Sequence, residues 1–265
     1  MGAVLTQGPP VVHTLHGPWT AKARRFIGAL DQRVGLVAVS YAQAAANPAI
    51  GYAGVVHNGI DVAAHPFRES KDDFLVFVGR INPEKGPAAA LQIARRAGRP
   101  LKMVVKRREQ SEWAYWNAVV APLLRSEDEV FEQPPAEVKL DLLARAHATL
   151  FPIDWPEPFG LVMAESMACG TPVIARPLGA APEVIEHGVT GFLFDTIEAM
   201  AAAVDHVGAL SPAACRQRVE QRFSGAAMAA GYRRVFDRVS AAHDQDPPPS
   251  MSNAAGGRGF ETISS

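Results

Sequence analysis

The feature that most limits this chain is a rhythm. Short runs of Val, Ile, Leu and Phe recur along it, with stretches of helical spacing between them. The runs at 11–16 (VVHTLH), 36–40 (LVAVS), 54–57 (GVVH), 74–79 (FLVFVG), 101–106 (LKMVVK), 148–153 (ATLFPI), 171–175 (TPVIA) and 192–194 (FLF) have strand length. They do not strictly alternate apolar with polar, as expected of parallel strands covered on both faces. Helix candidates fall at 87–97, 111–124, 136–146, 159–169, 182–187 and 196–207. Several open at Pro or Ser, which suit the first helical position and the N-cap. Strand and helix in repeated succession imply a doubly wound α/β sheet.

The polar stretch 60–73 (IDVAAHPFRESKDD) has no periodicity and reads as a linker. The part that follows it, about 70 to 222, is long enough for a complete Rossmann-like domain, whereas the part before it offers too few strands for one. A last amphipathic helix is expected at 223–239, and the Pro-, Ser- and Gly-rich sequence from 241 reads as a disordered tail.

Charge and cysteine content exclude several classes. Lys and Arg number 26 and Asp and Glu 27, a net charge of −1. That balance fits neither a generally basic nucleic-acid binder nor an acidic disordered chain. Two cysteines, Cys169 and Cys215, make neither a disulfide scaffold nor a Cys-rich zinc site, so a reducing cytoplasmic setting is expected. The start, MGAVLTQGPP, lacks the basic and apolar regions of a signal peptide. Gly2 and Thr6 fit the loose myristoylation pattern, which matches often by chance.

Several constellations could carry chemistry. Gly79-Arg80-Ile81-Asn82-Pro83-Glu84-Lys85-Gly86 follows one strand and precedes a helix. Ligands of open α/β sheets bind beyond the carboxyl ends of strands. There Gly79 permits close backbone approach, Arg80 can grip a phosphate with paired donors and Lys85 adds a point charge. An ordinary turn with solvated charges would look the same, and neither a Walker A loop nor GxGxxG is present. A second run, 155–172 (WPEPFGLVMAESMACGTP), also follows a strand. Pro158 would open its helix and Gly170 close it, with Glu157 at the positive N-terminal end. Glu165 falls on a small, apolar face, where a carboxylate needs a partner. Sugar or ribose hydroxyls would serve, and so would an Arg of the same domain. His13 and His16 stand three apart on a strand, so they point to opposite faces and are unlikely to share an ion. His16 ends its strand and can face a cleft. Gly179–Glu183 and Lys106-Arg107-Arg108 also follow strand ends and could face an anion, or could simply be solvated.

Taken in this order, VGRINPEKG (78–86), EPFGLVMAESMACGTPVIA (157–175) and LGAAPEVIEHGVTGFL (178–193) resemble the family 4 glycosyltransferases of the GT-B fold. Thr14-Leu15-His16-Gly17, VAVS (37–40) and HNGID (57–61) support the resemblance, which covers about 11 to 239, and Glu157-x7-Glu165 matches that family's signature. The resemblance implies a retaining hexosyltransferase that uses a nucleotide-diphosphate sugar, without metal or cofactor. It implies a partial N-terminal Rossmann-like domain at 1–66, a C-terminal nucleotide-sugar-binding domain at 67–222, a helix at 223–240 closing back on the first domain, and a tail at 241–265. Carried over, Arg80 and Lys85 hold the diphosphate and Glu157 the donor sugar hydroxyls. Gly79, Phe159, Gly160 and Leu161 present backbone to donor, Glu165 takes the ribose, and His16 lies near the reacting sugar. Arg80, Lys85, Glu157 and His16 are the expected catalytic set.

The acceptor, whether sugar, lipid or another small molecule, is not named by these residues. No nucleic-acid partner is expected, and peripheral membrane association is left open. Two features depart from the family. Met1 lies only about ten residues before the strand that leads to His16, so the usual Gly-rich loop is missing and the N-terminal domain is expected to be truncated. Glu132-Gln133-Pro134 stands where many relatives carry Gly beside the nucleobase. A nucleotide-sugar-binding fragment without activity and a sugar-nucleotide epimerase of the same fold remain alternatives.

Overall fold

The computed structural model describes residues 9–29 and 34–245. Nine strands form two parallel sheets among these residues. The first holds β1 (Val11–Leu15), β2 (Val34–Ala38) and β3 (Tyr52–Val55), in that order. The second holds β4 (Leu75–Arg80), β5 (Leu101–Lys106), β6 (Glu129–Glu132), β7 (Ala148–Phe151), β8 (Val173–Ala175) and β9 (Gly191–Leu193). Its spatial order is β6-β5-β4-β7-β8-β9, all pairs parallel. The chain therefore builds outward from β4 in one direction, then returns to β4 and builds outward in the other. The reversal falls between β4 and β7, which is where open α/β sheets form their ligand crevice.

The helices are α1 (Ala21–Gly28), α2 (Tyr41–Ala45), α3 (Pro87–Arg96), α4 (Gln110–Tyr115), α5 (Ala136–Arg145), α6 (Leu161–Ala168), α7 (Ala181–Val184), α8 (Ile197–Ala203), α9 (Pro212–Arg222) and α10 (Gly225–Gln245). Their starts follow local chemistry. Thr20, Ser40, Thr196 and Ser211 each accept an amide hydrogen bond as N-caps of α1, α2, α8 and α9. The expected helix at 111–124 is broken into α4, a wider π turn at Trp116–Val120 and a tight turn at Ala121–Leu123. Pro122 has no amide to continue the ladder, which ends the regular helix.

The central strands of the large sheet bury their side chains on both faces, as the unbroken apolar runs require. Phe77, Leu101, Met103 and Leu150 pack with Leu91 and Ile93 of α3 on one side. Val76 and Val104 meet Leu142 and Leu143 of α5 on the other. The stretch read as a linker is tied down. Lys71 Nζ donates to the carbonyls of Ala144 (2.8 Å) and Cys169 (3.1 Å) and to Thr171 Oγ1 (2.9 Å). Burial pushes the Lys71 ammonium down to about 8.

Helix α10 runs back over the small sheet, with Val235 packed on Val37 and Val56. Tyr232 Oη lies 2.7 Å from Thr14 Oγ1. The helix continues to Gln245, past the point where the sequence turns polar; the rest of the expected tail lies outside the described residues. Among the described residues no helix is long and apolar enough to cross a membrane.

Candidate functional site

Two loops meet at the β4/β7 crevice. Strand β4 runs through Gly79 and ends on Arg80, one residue past the run expected at 74–79. A tight turn at Pro83–Lys85 follows, opened by Asn82, whose side chain accepts from Lys85 N at 3.1 Å. Gly86 has φ 73°, and a Cβ there would collide with the Pro152 carbonyl after β7. Only glycine lets the two loops come this close. Asp154 N donates to Glu84 O at 2.8 Å and stitches them together. In this setting Lys85 Nζ pairs with the Glu157 carboxylate, and the ammonium lies 4.7 Å from the Trp155 ring centroid. The Trp155 indole N–H is buried without a partner.

Glu157 is held from behind. Ala180 N donates to its carbonyl at 2.9 Å, and Gly179, at φ 56°, admits the Glu157 backbone where a side chain would clash. Helix α6 starts at Leu161, two residues later than expected, because Gly160 takes φ 80° and cannot continue a right-handed helix from Phe159. Pro158 therefore precedes the helix rather than opening it. Phe159 turns inward, its ring centroid 5.7 Å from that of Phe223 and 6.0 Å from that of His57.

Glu165 has a partner, and it is Lys139 of α5 rather than an Arg. Lys139 Nζ is 2.9 Å from both carboxylate oxygens. Lys139, Gly79, Arg80, Lys106 and Gln133 line one open cleft of about 500 Å³ beside the carboxyl ends of β4 and β5. Gln133 has φ 44°, a backbone conformation that Gly adopts more readily.

Arg80 is gripped by two carboxylates. Its Nε lies 2.7 Å from Glu112 Oε1 and its Nη2 2.9 Å from Glu109 Oε1. The side chain of Glu112 is only 2% exposed. Burial pushes its pKa up, but the amides of Arg108 and Glu109 and the Arg80 guanidinium together hold it below the usual carboxylate range. Arg107, read as a candidate anion contact, is already engaged. It pairs with Glu132, and its guanidinium lies 4.0 and 4.5 Å from the ring centroids of Trp113 and Trp116.

The crevice thus brings Gly79, Lys85, Glu157 and Gly160 together, while Arg80 lines the cleft beside β4 and β5 and Glu165 reaches that cleft through Lys139. His16 is exposed and stands apart: it lines a smaller hollow on the three-stranded sheet, with Trp19 and Phe26. Glu183, in α7, ties the two sheets together. It accepts from Tyr41 N (2.9 Å), Ala42 N (2.7 Å) and lies 2.7 Å from His57 Nε2. Burial raises its pKa, and these three donors more than reverse that. Sequence reasoning missed Lys139, Glu109, Glu112 and His57, because each acts through a partner distant along the chain. Burial pushes both the Cys169 and Cys215 thiols up to about 12, which leaves them as packing groups. Among the described residues no three His, Cys, Asp or Glu side chains gather as metal ligands would.

The family described as glycosyl transferases group 1 matches residues 62–221. Curated relatives include glycogen synthase of Mycobacterium tuberculosis, 34% identical over 152 residues, covering 54% of this chain and 36% of that protein. D-inositol 3-phosphate glycosyltransferase of Thermobispora bispora is 33% identical over 186 residues, covering 61% and 42%. The chain spans between 29% and 42% of the length of such relatives. Anabaena HepE, solved with UDP-glucose, superposes with a TM-score of 0.70 at 22% identity, over 88% of this chain and 72% of that one. A glycosyltransferase of avilamycin A biosynthesis, AviGT4, gives 0.64 at 25%, over 78% and 64%. The parallel α/β architecture is therefore that of the GT-B glycosyltransferases.

Proposed function

We propose, from the premise that the chain belongs to the glycosyl transferases group 1 family, that its six-stranded unit binds a nucleotide-diphosphate sugar and supports glycosyl transfer with retention, in the manner of family 4. The observation that carries this reading is the Lys85–Glu157 ion pair at the reversal point of the sheet. Breaking the bond between the anomeric carbon and the diphosphate leaves growing negative charge on the leaving group. Fixed cations lower that barrier because they need no rearrangement as the charge appears. Arg80 and Lys85 supply them, so the reaction needs neither metal nor cofactor.

Without donor, Lys85 and Glu157 satisfy each other. With donor, Lys85 turns to the diphosphate and Glu157 accepts from sugar hydroxyls, with the Gly160 and Leu161 backbone alongside. Glu165, held in place by Lys139, takes the ribose hydroxyls. The complex of HepE with UDP-glucose supports the donor class. His16 serves the reacting sugar from the small sheet. The acceptor is a sugar, a lipid or another small molecule.

Calorimetric titration with UDP, ADP and GDP tests the donor assignment. Saturable binding of at least one is expected, weakened by Arg80→Ala and by Lys85→Ala. An absence of heat at millimolar nucleotide would overturn it. Binding without hydrolysis or transfer of any nucleotide sugar would leave the unit a binding module.

A further inference from the structure

Arg80 is held by two carboxylates of the same short segment, and the two differ in every respect that decides whether a partner can leave. Glu112 is 2% exposed and its second oxygen is already committed, accepting from Arg108 N at 2.7 Å and Glu109 N at 3.1 Å. Moving it would orphan two amides at a buried point, which is costly. The segment that carries it is itself fixed, because Arg107 is clamped between Trp113 and Trp116 and bonded to Glu132 on β6. Glu109, in contrast, is 65% exposed, and its contact with Arg80 is an exposed ion pair. Such pairs contribute little and exchange readily with water.

Building on the diphosphate role proposed for Arg80, we infer that Glu112 is a positioning residue that fixes the Arg80 guanidinium through Nε, while Glu109 is an exchangeable counter-ion that holds its Nη2 edge until a nucleoside diphosphate replaces it. The division suits the geometry of guanidinium. Nε donates along one edge and stays with Glu112, so the ring of donors keeps its plane. The outer edge, beside the cleft that Arg80 lines, changes partner from carboxylate to phosphate. No bond forms or breaks in this exchange, and the net charge around Arg80 passes from one anion to another. The resting site is thus kept from trapping free phosphate or other small anions weaker than the donor.

The test compares the affinity for each nucleoside diphosphate with that for the matching nucleoside, which lacks the phosphates. Glu109→Gln should tighten the diphosphate about two- to fivefold, the strength of one exposed ion pair, and leave the nucleoside unchanged. Glu137→Gln, which removes an exposed acid from the first turn of α5 without touching Arg80, should do much less. Glu112→Gln should weaken the diphosphate and leave the nucleoside unchanged. It should also lower kcat about 10- to 100-fold, as a misplaced catalytic group does. A merely structural role for Glu112 would shift both ligands together and lower Tm. If Glu112→Gln fails to fold, Glu109→Gln decides. Wild-type protein that binds UDP, ADP or GDP and loses it on Arg80→Ala, yet shows no gain with Glu109→Gln or an equal gain with Glu137→Gln, would overturn the inference alone. Wild-type protein that binds none of the three would overturn the donor assignment beneath it.

Discussion

The two sheets of this molecule use the same parallel arrangement to different ends. The six-stranded sheet has largely buried central strands, and its crevice carries ion pairs of limited exposure, Lys85–Glu157 and Lys139–Glu165. The three-stranded sheet has a thin core of Leu15, Ile27, Val34 and Leu36, with exposed residues at every second position early in β1. It depends on other parts of the chain, with α10 over one face and Glu183 tied to its second helix. A large core can hold paired charges at a site; a small one is held by its neighbours. The proposed donor chemistry falls to the large sheet, and His16 is the residue of the small one proposed to take part.

That contrast is broken most forcefully at Lys85. Lys85→Ala or Arg80→Ala should lower turnover about 10²–10³-fold, the usual loss of one transition-state donor; Arg80→Ala should also lower the unfolding midpoint, because the buried Glu112 carboxylate loses its cation. Near-normal steady-state rates in both variants would move the chemistry elsewhere.

The next largest effect concerns the attachment of the small sheet. Glu183→Ala removes two amide hydrogen bonds and the His57 contact, and should cost about 2 kcal/mol of stability in denaturant titration. Hydrogen exchange should rise at 52–57 while the large sheet keeps its protection. The pH sign follows from the depressed Glu183 pKa. Its contribution is fully present above the unfolded value of 4.5 and is lost as pH falls through the lower folded value, so wild type and variant converge in acid.

Lys71 sharpens the comparison from the linker side. Its folded pKa of about 8 lies below the unfolded 10.5, so the unfolded chain binds more protons between them. Stability relative to Lys71→Met should rise with pH across that window, by a modest amount visible in thermal scans at pH 7 and pH 10. The smallest effect expected is none: His16→Ala should leave nucleoside diphosphate affinity unchanged by calorimetry, even where it slows transfer.

How far the sequence could be read follows the same division. Residues 101–106 form β5 from end to end, because Leu101, Met103, Val104 and Val105 make a short, largely apolar run of strand length between two turns. Strand β6 escapes such reading: it pairs on one side only, and its sequence, EVFE, is half solvated. Helices α1 and α9 escape for a related reason, since α1 buries only Ile27 and α9 only Cys215 and Val219, too few for a visible stripe. Arg80 and Lys85 stand out as candidates in the sequence because they lie after an apolar run beside Gly79 and Gly86, and Glu157 because it precedes a helical stretch. Lys139 and Glu112 do not, because Lys139 lies 26 residues from Glu165 and Glu112 lies 32 from Arg80, and nothing local marks either pairing.

The central claim is that a nucleoside diphosphate occupies the β4/β7 crevice. Hydrogen exchange of the full chain, with and without saturating nucleotide, measures this most directly. The account predicts new protection at 79–86 and 157–161 and none at 11–17. Protection confined to 11–17, with the two crevice loops exchanging as before, would contradict it.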